Sequence, residues 1–273
     1  MGKYLKLQEI LKEMGSVLVA YSGGVDSGLL LAVAIKVLGF DHVLAVTLSS
    51  EISTEQEIND AIKLAQQMQS PHLLLPANDL EQPDFISNTA DRCYYCKKIR
   101  FELLKDLALL KELAFVIEGS NQDDLSDYRP GRRAAEELFI RSPLQEAGLT
   151  KAEIRKLAQK MNLTVWDKPS EPCLATRIPY GTTITKEILV TIAKAETVIK
   201  SILGHNQLRV RHHGEIARLE VPPSDFAQVL APDTVKKINK ELRNLGYIYV
   251  ALDIRGYRQG SQNETLTIVR NQE

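Results

Sequence analysis

Val17-Leu18-Val19-Ala20-Tyr21-Ser22-Gly23-Gly24-Val25-Asp26-Ser27 runs from an apolar strand through two glycines straight into a helical pattern. That order predicts an α/β fold whose first strand ends at a ligand site. Gly23 and Gly24 remove the side chains that would hold an anion away from the backbone. The helix that follows aims unpaired N–H groups and the positive end of its dipole at the same spot, and Ser22 and Ser27 add hydroxyl donors. A phosphate-bearing ligand is the expected occupant. The G-x-x-x-x-G-K-[ST] and G-x-G-x-x-G spacings are both missing. Asp26 inside such a loop would repel phosphate unless a cation intervenes, which points to Mg²⁺; otherwise it is an acidic first-turn residue that complements the helix dipole.

Outward from this stretch, short apolar runs alternate with longer helical ones, the pattern of a doubly wound parallel sheet. Val43 to Leu48, His72 to Leu75 and Phe115 to Glu118 read as strands. A helix from Thr54 to Met68 opens on a Ser53/Thr54 cap with Glu55 and Glu57 in its first turn. Another runs from near Cys93 to Leu110, and a third from Lys151 to Met161. Ligands collect at the carboxyl ends of parallel strands, which gathers Ser22, Ser49 and Gly119-Ser120-Asn121 on one rim. The loop from Asp167 to Gly181 is long enough to be functional, and it carries Cys173 and Arg177. Beyond it, a helix from Lys186 to Leu203, strands near Leu208–Arg211 and Ile216–Val221, a helix from Thr234 to Leu245 and a strand Tyr247–Asp253 make a small α+β unit. Residues 1–180 are expected to form the nucleotide domain and 181–273 a smaller domain for substrate or for oligomerisation.

The 273 residues are 44 % hydrophobic and 25 % charged, ordinary for a soluble globular protein that can bury a real core. A net charge of −1 gives no overall attraction for a polyanion, so a long nucleic acid is not expected as a partner. No apolar run reaches membrane-spanning length and the N-terminus leads into an amphipathic helix, so the expected compartment is the cytoplasm. Three cysteines, Cys93, Cys96 and Cys173, argue for metal binding or catalysis over a disulfide framework. C-x-x-C alone serves iron–sulfur clusters, zinc and thiol redox chemistry alike. Three thiolates fit a [4Fe–4S] cluster with one iron left open, whereas zinc needs a fourth ligand. Tyr94, Tyr95, Lys97 and Lys98 read as packing and solvated residues. Arg209 and Arg211 alternate on a strand and share a face, so they either grip one phosphate or stand in solvent balanced by Glu220.

The hexapeptide Ser22 to Ser27 resembles the SGGxDS pyrophosphate loop of the ATP-pyrophosphatase (PP-loop) superfamily, whose members split ATP between its α and β phosphates. Together with Asp127-Tyr128-Arg129-Pro130-Gly131, Cys173, Arg177-Ile178-Pro179-Tyr180-Gly181-Thr182-Thr183, Arg209-Val210-Arg211, Ala217-Arg218-Leu219-Glu220 and Leu252-Asp253-Ile254-Arg255-Gly256-Tyr257-Arg258, it resembles the LarE family of sulfur transferases over nearly the whole chain. That resemblance implies adenylation of a carboxylate of pyridinium-3,5-biscarboxylic acid mononucleotide by ATP, then displacement of AMP by sulfur, in the making of the nickel-pincer nucleotide of lactate racemase. It implies phosphate binding by Ser22, Gly23, Gly24 and Ser27, Mg²⁺ on Asp26, and a sulfide-bearing [4Fe–4S] cluster on Cys93, Cys96 and Cys173. Arg177 is expected to stabilise adenylate or substrate charge. Arg209, Arg211, Glu196 and Arg258 are expected around the substrate phosphate. The partners implied are a small mononucleotide and further copies of the chain. The competing enzyme readings are tRNA thiolation and amide-forming ligation, with a non-catalytic adenine-nucleotide sensor outside that class.

Overall fold

The computed structural model describes residues 2–126, 130–169, 171–204, 207–258 and 260–264. The chain forms two compact units, Met1–Asp79 with Asp91–Ser170, and Leu80–Ala90 with Glu171–Glu273.

In the first unit the strands β1 (Val17–Ala20), β2 (Val43–Ser49), β3 (His72–Pro76) and β4 (Phe115–Ile117) form a sheet of order β3-β2-β1-β4, with every pair parallel. Helices flank it, as expected for an α/β architecture. Val17, Leu18 and Val19 are buried without alternation, the signature of a parallel strand covered on both faces. The helix Val25–Leu38 is nearly as apolar all round, burying Leu29, Leu30, Leu31, Val33 and Ala34, so it lies inside the unit rather than on it. Each buried leucine or valine contributes about 2 kcal/mol. The helix Glu55–Gln67 opens with a full capping box: Thr54 Oγ1 accepts from Glu57 N–H at 3.2 Å and Glu57 accepts from Thr54 N–H at 2.7 Å. Thr150 and Glu153 repeat the device at the helix Lys151–Lys160. β3, whose residues are half-exposed or exposed, forms the edge and ends on Pro76.

In the second unit β5 (Arg209–His213) pairs antiparallel with β6 (Ile216–Glu220), which pairs parallel with β7 (Tyr249–Leu252). Ala195, Ile199 and Leu203 of the helix Lys186–Leu203 pack with Val210, Ala217 and Leu219 of the strands and with Ile238 and Leu242 of the helix Pro232–Asn244. Residues Leu80–Ala90 join this unit through Asn88, whose side-chain amide donates to the carbonyls of Pro179 and Thr182 at 2.7 and 2.8 Å. Among the described residues no helix is long and apolar enough to cross a membrane.

Candidate active site

The loop after β1 is closed by its own small side chains. Ser22 Oγ and Ser27 Oγ lie 3.0 Å apart, and Ser27 Oγ accepts from the Ser22 N–H at 3.2 Å and donates to the Gly24 carbonyl at 3.3 Å. Gly23 has φ +70°, and a Cβ there would stand 2.7 Å from Ala61 Cα, so the loop rests on the Glu55–Gln67 helix as only glycine can. Gly24 caps the helix Val25–Leu38 without a side-chain hydrogen bond. The loop after β4 presses on the same turn: a Cβ on Gly119 would come 3.0 Å from Ser27 N. Its Asn121 donates to Asp26 Oδ1 at 3.3 Å, while Lys151 Nζ pairs with Asp26 Oδ2. The rim expected at the strand ends is therefore assembled, with one addition. Lys151 was read only as the start of a helix. The signal that could have singled it out is a cation in a first turn, where the helix dipole disfavours it.

Cys93 and Cys96 sit in the opening turn of the helix Arg92–Leu110, three residues apart and on neighbouring positions of one face. Cys96 Sγ donates to Asp79 Oδ1 at 3.6 Å. Asp79 is buried and clasped by Arg100, Nε to Oδ1 at 3.0 Å and Nη2 to Oδ2 at 2.6 Å, with Ser50 Oγ donating at 2.5 Å. Burial pushes this carboxyl up, and the hydrogen bonds and charge of Arg100, aided by Ser50 and Cys96, outweigh it and hold the group below the usual carboxylate range. Sequence reasoning missed Asp79, Arg100 and Ser50, which lie far apart in the chain. Lys97 is partly solvated, as expected, and its ammonium also pairs at 3.4 Å with Glu118, a buried carboxylate that accepts from Ser142 Oγ at 2.8 Å and from Ser120 N–H at 3.1 Å. Tyr94 packs as expected, its ring under the Arg133 guanidinium at 3.6 Å and its hydroxyl on Glu137 at 2.7 Å.

Cys173, half-buried, caps the short 3₁₀ turn Leu174–Arg177 in the second unit. Arg177 reaches back over that turn: Nη1 donates to the carbonyls of Pro172 and of Cys173, the latter at 3.1 Å, and to Thr176 Oγ1 at 2.9 Å. Its other edge meets Glu196, Nε to Oε1 at 2.9 Å and Nη2 to Oε2 at 3.1 Å, both groups buried. Burial pushes the Glu196 carboxyl up, and Arg177 and Arg209 pull it further down, below the usual range. Arg209 and Arg211 lie on one face of β5 but not in solvent. Arg211 pairs with Glu220 at 2.8 Å and donates to Ser261 Oγ at 2.7 Å and to the Thr176 carbonyl at 2.6 Å. The reading of two solvent-facing arginines balanced by Glu220 is thus corrected: both are more than nine-tenths buried. Arg209 stands 5.4 Å from the Tyr257 ring centroid, its pKa lowered by burial and by the nearby Arg177 charge. Arg258 joins the same ionic chain through Asp253 and Glu264, and Asp253 in turn meets Arg218, which pairs with Glu220 at 3.1 Å. Asp127, Tyr128 and Arg129 lie outside the described residues.

Thiols a helical turn apart suit two ligands of one cluster, and Cys173 is the remaining thiol, in the other unit. Among the described residues no group of three or more His, Cys, Asp or Glu side chains is gathered as a metal site. Asp26, the carboxylate of the loop motif, is held by Asn121 and Lys151.

A family model described as NAD synthase matches residues 3–87, which hold the phosphate loop and β1 to β3. The chain is 40 % identical to an uncharacterized protein of Synechocystis over 97 % of this chain and 98 % of that one. It is 39 % identical to a Lactiplantibacillus plantarum protein named pyridinium-3,5-bisthiocarboxylic acid mononucleotide synthase, over 97 % of this chain and 95 % of that one. A tRNA-specific 2-thiouridylase of Rickettsia peacockii is 29 % identical over 58 % of this chain and 53 % of its own length.

Proposed function

The chain belongs to the family of the pyridinium-3,5-bisthiocarboxylic acid mononucleotide synthases, the LarE family, and we propose that it is an ATP-dependent sulfur transferase acting on the carboxylates of pyridinium-3,5-biscarboxylic acid mononucleotide. The observation that carries this reading is 39 % identity sustained over 97 % of the chain, through both units rather than the nucleotide part alone. The Ser22–Ser27 loop receives the phosphates of ATP on backbone N–H groups and the two hydroxyls. A substrate carboxylate oxygen attacks the α-phosphorus and the bond to the departing pyrophosphate breaks, leaving an acyl adenylate. A sulfur nucleophile then displaces AMP, a far better leaving group than hydroxide.

Asp26 would hold Mg²⁺, whose charge offsets that of the phosphates. Cys93, Cys96 and Cys173 would hold a [4Fe–4S] cluster, which supplies inorganic sulfide when bound. Arg177 and Glu196 act by fixing the Cys173 turn, and the charge-balanced ionic chain from Arg211 through Glu220, Arg218 and Asp253 to Arg258 and Glu264 holds in place the arginines that would meet a mononucleotide phosphate. The enzyme works in the cytoplasm as an assembly of identical chains.

The test uses anaerobically purified protein. AMP and pyrophosphate are expected only when ATP and the mononucleotide acid are both present, with the product gaining sulfur by mass spectrometry. Iron, sulfide and visible charge-transfer absorption are expected in the wild type and lost in Cys93→Ala. AMP release that ignores the mononucleotide acid, or sulfur transfer by a protein free of iron, overturns the respective part.

A further inference from the structure

Lys151 is placed where a structural lysine gains little. It is the first residue of its helix, and its ammonium lies at the opening of a second one, Val25–Leu38, so two positive dipole ends face one cation. Among the described residues its ammonium pairs with Asp26, and that pair is partly open to solvent, with the lysine and aspartate side chains 34 % and 23 % exposed. Ion pairs of this exposure are weak and readily exchanged. The contrast with Asp79 and Arg100 is direct, since the Asp79 side chain is 1 % exposed and its pair is bidentate. The base of Lys151 is nonetheless fixed. Its N–H donates to Asp123 Oδ2 at 2.9 Å, and the Thr150–Glu153 capping box pins the turn. A rigid stem with an exchangeable tip, beside a glycine loop opening a helix, suits an ammonium that waits for a polyanion.

We propose that Lys151 is a triphosphate-binding residue of the ATP site, parked on Asp26 until nucleotide arrives with its divalent cation. The cation takes the Asp26 carboxylate, and Lys151 Nζ turns to the phosphate oxygens. Lysine suits this role as a compact point charge on a flexible stem. The pair thus keeps Asp26 neutralised in the free enzyme and prevents the carboxylate from repelling the incoming phosphates. This inference rests on the nucleotide reading of the loop.

The experiment measures binding by isothermal titration to wild type, Lys151→Met and Lys151→Arg. Far-UV circular dichroism checks each fold, and the half-exposed side chain makes both substitutions tolerable. ATP with Mg²⁺ is expected to bind Lys151→Met at least about tenfold more weakly, the effect of deleting a charge-assisted hydrogen bond, with Lys151→Arg recovering most of the loss. Adenosine is expected to bind all three alike. Mn²⁺ alone, followed by electron paramagnetic resonance, is expected to bind Lys151→Met more tightly than wild type, because its competitor for Asp26 is gone. Equal ATP affinity in wild type and Lys151→Met overturns the phosphate role, and unchanged Mn²⁺ affinity overturns the hand-over. Failure of the wild type itself to bind ATP would instead strike the nucleotide reading.

Discussion

The Ser22–Ser27 loop and the Cys173 turn are each held in shape, with opposite materials. Around Ser22–Ser27 the work is done by backbone, two hydroxyls and glycines pressed on neighbouring helices, and the Lys151–Asp26 pair is partly open to solvent. Around Cys173 it is done by charged side chains almost wholly out of water, Arg177 with Glu196 and Arg211 with Glu220. The first arrangement costs little to rearrange. The second loses stability when a buried partner is removed, because a buried charge is tolerated only while compensated.

The sharpest way to break this contrast is Glu196→Ala. It removes the carboxylate that pairs with buried Arg177 and accepts from the Val210 N–H at 3.1 Å, so a loss of about 3–5 kcal/mol is expected from chemical denaturation. A loss below about 1 kcal/mol would show that the Cys173 turn does not depend on the pair. Next in size is Gly23→Ala, which forces a left-handed backbone on alanine and drives its Cβ against Ala61. A loss of about 1–3 kcal/mol is expected, together with lost ATP binding by titration calorimetry. Wild-type binding in a folded Gly23→Ala protein would mean that the loop's shape is not what receives phosphate.

The smallest and most graded effect is in acid. Asp79, Glu118 and Glu196 all sit below the usual carboxylate range, burial raising each and paired cations or donors outweighing it. A depressed folded-state pKa adds stability that is complete above the unfolded value, about 4, and is lost as pH falls through the folded value. Melting temperature should therefore hold at neutral pH and slope downward below about pH 4. Glu196→Gln should flatten that slope, and an unchanged slope would remove Glu196 from the acid-sensitive set.

What could be read from the chain follows the same divide. Apolar strands, capping boxes and the glycine loop are local patterns, and β1 to β7 and the helices they alternate with fall where periodicity places them. The cap at Thr54 was legible because Glu57 stands three residues on. Asp79 with Arg100, Lys97 with Glu118 and Lys151 with Asp26 were not, since nothing local marks a charge that will be neutralised from a distant segment. Arg209 and Arg211 were legible as a same-face pair, but their burial depends on Ser261, Glu220 and Tyr257, which only folding brings near. The excursion of Leu80–Ala90 into the second unit likewise has no compositional mark.

The helices at Glu55 and Lys151 each carry their own cap, whereas the one at Val25 begins at a bare glycine. Its first turn is unfinished in the free chain, and an arriving anion would complete it. Ligand occupancy and the firmness of that helical start would then be one equilibrium, so resistance to heat should keep climbing with the logarithm of nucleotide concentration even after the loop is full.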